Sequence, residues 1–176
     1  MHRFFLILIS FLFFINISYA NDYIYILSDV KLNDLYFDAK KHFDENEIQL
    51  SKDVRGVIVR FPLEDVLSEY QQLSYKTLQK IEKIEYFLAK IKNPAIIEVH
   101  TSKKALDNFS NLKNWEISTV IANKIEAILL QYGRISQRKI KSIGYGEFLP
   151  SKNTPNNGVK NMGRVDIIIL CSISGE

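Results

Sequence analysis

The chain of 176 residues has one cysteine, Cys171, and one tryptophan, Trp115. A lone thiol closes no internal disulfide, so packing must hold the fold together. Cys171 is read as lying inside a buried strand, where a thiol is usually inert. Zinc-type Cys/His spacings are missing, and neither His42 nor His100 has a second ligand spaced nearby. There is no Gly-x-Ser-x-Gly turn and no phosphate-cradling glycine loop. The chain therefore reads as a non-catalytic protein without metal or cofactor. A dominant charge is lacking too. Lys and Arg number 23 against 20 Asp and Glu, a formal net charge of +3, too small to draw the protein to nucleic acid.

His2 and Arg3 precede an apolar run from Phe4 to Ile17, which ends in Ser18-Tyr19-Ala20. A spanning helix needs roughly 20 apolar residues, and this run falls short of that. Residues 1–20 are read as a secretory signal peptide cleaved after Ala20, in preference to an uncleaved anchor. No cysteine follows the cleavage site to carry a lipid, and no transmembrane helix is expected in the mature chain. Residues 21–46 are read as an N-terminal extension, strand-like at Tyr23 to Leu27 and loosely helical from Leu32 to Phe43. Residues 47–176 form one domain.

Within that domain, Ile48 and Leu50 lead through a polar turn at Ser51 to Arg55 into Gly56-Val57-Ile58-Val59-Arg60-Phe61, which predicts a hairpin. Pro62 lacks an N–H and marks a break. Helical spacing of apolar residues between Val66 and Ile91 predicts a long amphipathic helix, stopped at Asn93-Pro94. Ala95 to Thr101 reads as a strand, and Ser102 to Lys113 as a loop. A second helix spans Trp115 to Tyr132, with Asn114 as expected N-cap and Gly133 at the C-terminal cap. Strands follow at Ile140 to Tyr145 and Arg164 to Leu170, separated by a polar loop. The last strand is apolar enough for a central place in the sheet, with Asp166 facing the open side. The order predicts an α+β two-layer sandwich, a mixed sheet of about four strands under two long helices on one face.

Three blocks then carry a resemblance. Asn114-Trp115-Glu116-Ile117-Ser118 is similar to the Asn-Trp-Glu-Leu-Ser run of MotB-type flagellar stator proteins, a subgroup of the OmpA-like family. Gly144-Tyr145-Gly146-Glu147, with Pro150 and Asn153-Thr154, resembles the family's Gly-Tyr-Gly-Glu segment. Arg164-Val165-Asp166-Ile167 resembles the end of its Asn-Arg-Arg-Val-Glu-Ile motif. The likeness spans about residues 47–170.

The resemblance implies an envelope protein, periplasmic or outer-membrane-associated in a Gram-negative-type envelope, with peptidoglycan as its partner. In that family an Asp and an Arg clamp the diaminopimelate end of the peptide stem, because a zwitterion held in a groove needs both charges paired. The positions carried over here are Thr101, Ser102, Asn114, Ile121 and Arg164. Ser102 stands in place of the Asp and Ile121 in place of the Arg, while Met162 and Gly163 replace the preceding Asn and Arg. Both charges of the clamp are gone, although Lys103, Lys104 and Asp107 lie in the adjoining loop. Two readings follow: peptidoglycan association weakened or routed through a remodelled site, or a protein-docking role in a motor-like or secretion-like envelope complex that has lost peptidoglycan binding. Trp115 is expected to pack on the sheet rather than stack on a sugar, and His100 to be structural.

Overall fold

The computed structural model describes residues 29–44, 46–63, 66, 72–101, 112–148 and 163–171. The expected signal peptide, the strand-like Tyr23 to Leu27, Ser102 and the charged loop residues after it lie outside the described residues.

Runs of Val and Ile set the sheet, since β-branched side chains suit a pleated, half-buried surface. Gln49–Asp53 (β1) turns at Val54 and Arg55 into Gly56–Pro62 (β2), the expected hairpin with a tighter turn. Gly163–Leu170 (β5) lies antiparallel to β2 on one side and to Ala95–Thr101 (β3) on the other. Ile140–Gly146 (β4) runs parallel to β3 at the far edge, giving the order β1-β2-β5-β3-β4. Among the described residues the sheet is thus mixed and has five strands, in keeping with the expected mixed sheet of about four. The central place of β5 agrees with its near-continuous apolar run.

Among the described residues three α-helices accompany the sheet: residues 29–42 (α1), Tyr75–Lys90 (α2) and Asn114–Gln131 (α3). α1 comes from the loosely helical stretch. α2 starts later than the apolar spacing from Val66 suggested, because Ser74 caps it by accepting the N–H of Thr77 at 3.2 Å. α3 supplies the crossover that a parallel β3–β4 pair requires. Alternate residues of the strands, among them Val57, Val59, Val99, Ile167 and Ile169, meet Ile84 and Leu88 of α2, Ile117, Ile121 and Ile125 of α3, and Leu35 and Ala39 of α1 in one buried core. The described helices cover this face of the sheet. α2 is also tied to the chain beyond α3: Glu85, fully buried, accepts from Arg134 Nε at 2.9 Å, and Ile91 O accepts from Lys139 Nζ at 2.6 Å.

Candidate functional site at the motif junction

The first two motif blocks meet in space. Ser118 sits one turn into α3 and is fully buried. Its hydroxyl accepts the N–H of Gly146 at 2.9 Å and donates to the carbonyl of Trp115 at 2.9 Å, so one side chain bridges helix and strand. The Thr119 hydroxyl donates to the same carbonyl at 2.7 Å. Gly144 allows this closeness, since a Cβ there would stand 2.3 Å from the Thr119 nitrogen. Gly146 adopts φ +55°, a left-handed conformation that glycine takes without penalty. Asn114 Nδ2 donates to Glu147 Oε2 at 3.2 Å and completes the junction. Asn114 is the first residue of α3 rather than its cap. Lys113 holds the cap position, and its N–H donates to Glu116 Oε2 at 2.7 Å.

The register gathers most of the expected site residues at one end of the sheet. His100 lies opposite Gly146 on β4 and Arg164 on β5, and Thr101 lies opposite Gly163. The ends of β3 and β4, the start of β5 and the start of α3 therefore converge, bringing Thr101, Asn114 and Arg164 into one region. Among the described residues, Thr101 Oγ1, Asn114 Oδ1 and both ring nitrogens of His100 are buried without a hydrogen-bond partner, which is uncommon for buried polar groups. Ile121 is fully buried within the core and presents no atom to this region. Trp115 is not packed away on the sheet as expected: it is 51% exposed, and Phe148, two residues past Gly146, is 78% exposed. Gly146 lies close to the Trp115 backbone: a Cβ there would stand 3.0 Å from the Trp115 nitrogen and 3.3 Å from its Cβ.

On the sheet face away from the core cluster lies a charged strip that sequence spacing did not reveal. Asp166 does face that side, yet it is 3% exposed. Arg60 Nε and Nη2 donate to its two oxygens at 2.6 and 2.8 Å, and Arg164 Nε donates at 2.9 Å. Burial works against the Asp166 charge, but the hydrogen bonds and charges of Arg60 and then Arg164 outweigh it and hold the carboxyl below its ordinary range. Glu98, also buried, accepts from Arg55 at 2.9 Å. Its burial is likewise outweighed, by His100 and Arg55, and its carboxyl too is held low. His100 stacks on Tyr145 with ring centroids 4.9 Å apart. Glu98, His100 and Asp166 bring ligand-type atoms within 4.8 Å of one another. Three guanidinium groups already engage these carboxylates, and Asp53 shares Arg55, so the strip reads as an ion-pair network. Only strand alternation, placing Arg60, Glu98 and Asp166 on one face, could have hinted at it.

The chain has the fold of a MotB periplasmic domain. A putative MotB-like protein from Desulfovibrio vulgaris superposes with a TM-score of 0.68 at 18% identity, covering 85% of this chain and 98% of that one. The cell wall anchor of the T6SS from Pseudomonas aeruginosa gives 0.62 at 15% identity, covering 80% and 97%. The periplasmic domain of Helicobacter pylori MotB gives 0.59 at 20% identity, covering 69% and 80%. No protein-family model matches the sequence, and no curated protein matches it. Among the described residues no helix is long and apolar enough to cross a membrane.

Proposed function

We propose that the chain is an exported, non-catalytic protein of the cell envelope, periplasmic or outer-membrane-associated, whose domain associates with peptidoglycan weakly or through a remodelled site. The observation that carries this reading is the motif junction: Ser118 locks Gly146 to Trp115, and beside it Thr101 Oγ1 and Asn114 Oδ1 are buried without partners among the described residues. The structures sharing the fold include one described as a cell wall anchor, which supports the same reading. Thr101, Ser102, Asn114 and Arg164 are the candidate contacts. Co-sedimentation of the mature protein with insoluble peptidoglycan sacculi tests it. A pelleted fraction that free diaminopimelate or added wall fragments reduce is the expected result, and protein left wholly in the supernatant overturns the proposal.

A second reading, a docking component of a motor-like or secretion-like envelope complex, is favoured by two observations. Ile121 is sealed in the core, and the Arg164 guanidinium is engaged with Asp166. Crosslinking in intact envelopes followed by capture of the protein should then recover one reproducible protein partner. Its absence removes this reading.

A further inference from the structure

Building on the proposed association with peptidoglycan, we infer that the end of β3 and the start of α3 take a lone primary ammonium. Its source would be the side-chain end of a lysine-type diamino residue in the peptide stem, in preference to the zwitterionic end of diaminopimelate.

Strand alternation divides the polar groups at this end of the sheet. Val99 and Val165 point into the helix-covered core, so Thr101 shares that side, whereas His100 and Arg164 lie on the other. There Arg164 Nε donates to Asp166 Oδ2 at 2.9 Å, which commits the guanidinium away from Thr101. Opposite Thr101 in the register stands Gly163, which has no side chain to offer it. Thr101 is 6% exposed, and its hydroxyl has no partner among the described residues. Gly146, opposite His100, brings the start of α3 to the same strand end, since a Cβ on it would stand 3.0 Å from the Trp115 nitrogen. Asn114, the preceding residue, gives its amide nitrogen to Glu147 and keeps Oδ1 buried without a partner.

These groups select their ligand by what they lack. Asn114 Oδ1 can only accept, the Thr101 hydroxyl can accept, and the exposed Glu147 carboxylate adds negative charge. An ammonium, with three donors and a positive charge, satisfies all three. A carboxylate would need a cation here, but Ile121 is apolar and fully buried, and Arg164 is engaged on the far face. The N-terminus of α3 carries roughly half a positive charge. Glu116 and Glu147 outweigh it even with Lys113 counted, so the junction stays negative. Diaminopimelate would bring its ammonium to the acceptors and its carboxylate to Glu147.

The mature protein is titrated calorimetrically with two soluble stem peptides that differ only in the diamino residue, lysine in one and meso-diaminopimelate in the other. Pelleting with sacculi of each type is measured in parallel. The expected result is saturable binding of the lysine peptide, at least about tenfold tighter than that of its counterpart, because a carboxylate left without a partner is costly to bind. Thr101→Val keeps the shape and removes an unpartnered atom, so its urea midpoint should hold while affinity for the lysine peptide falls about tenfold. Glu147→Gln, at an exposed position, should weaken the same peptide. Equal or tighter binding of the diaminopimelate peptide, or unchanged affinity in either variant, overturns the ammonium site and leaves the peptidoglycan reading standing. Pelleting with sacculi but no binding of either peptide does the same. No interaction with any of these materials overturns both.

Discussion

Arg60 grips Asp166 through two hydrogen bonds across the β2–β5 pair, Nε to Oδ1 at 2.6 Å and Nη2 to Oδ2 at 2.8 Å. The two residues lie 106 positions apart in the chain, and Arg164 adds a third bond from the strand of Asp166 itself. Removing the carboxylate leaves two partly buried guanidinium groups facing each other. Asp166→Ala is expected to destabilise the domain by about 3 kcal/mol, read as a lower midpoint in urea denaturation. A loss within a few tenths of a kcal/mol would mean that the network contributes nothing net.

Acid should act through the same strip. Asp166 and Glu98 both have carboxyls held below their ordinary values of 3.8 and 4.5. A group whose folded pKa is depressed contributes stability in full above its unfolded pKa and loses it as pH falls through the folded value. Urea midpoints should thus fall as pH is lowered from about 4.5 toward 2, and more steeply in the wild type than in Asp166→Asn. Equal slopes would place the acid-sensitive groups elsewhere.

Ser118 and Gly144 hold α3 against β4 by different means, one by hydrogen bonds and one by absence of bulk. Ser118→Ala leaves the Gly146 N–H buried without its acceptor and should cost about 1–3 kcal/mol. Gly144→Ala drives a methyl into the Thr119 backbone and should cost a similar amount, about 1–3 kcal/mol, through overpacking. Thermal or urea unfolding measures both, and in Gly144→Ala the emission of Trp115 should also shift as the helix start moves. A Gly144→Ala protein as stable as wild type would show that the helix can lift off freely.

Restoring the family's charged pair is not a simple gain of binding. Ile121 has no exposed surface, so Ile121→Arg forces a guanidinium among Ile117, Ile125 and Leu129 and should destabilise by several kcal/mol, about 3–5. Circular dichroism melting checks this. If Ile121→Arg folds with a wild-type midpoint and binds diaminopimelate, the helix face has been misassigned and the clamp position is accessible after all.

Much of the architecture was legible in the chain because it depends on local spacing. The turn at Val54-Arg55, the apolar period of α3 and the stop at Asn93-Pro94 are written within a few residues of where they act. The start of α2 was misplaced because apolar residues from Val66 continue the spacing, while the deciding signal is the single hydroxyl of Ser74. The strand order and the Arg60–Asp166–Glu98 strip were not legible, since they arise when β5 pairs with strands far earlier in the chain. Trp115 was misread for a related reason. Whether an aromatic at a helix start lies inward depends on its tertiary neighbours, and Gly146, which lies close to the Trp115 backbone, comes some thirty residues later. That the two motif blocks meet was not legible either; Asn114–Ser118 and Gly144–Glu147 make contacts that tie helix to sheet across about thirty residues.

The position of β5 has a consequence for how the molecule is assembled. It is the last strand among the described residues, yet β2 and β3 are joined within the sheet only through it. Until Gly163–Leu170 is in place, the hairpin β1–β2 and the β3–α3–β4 unit are two fragments with unpaired strand edges. Folding must therefore wait for a contact closed across a hundred residues, a topology that slows the final step.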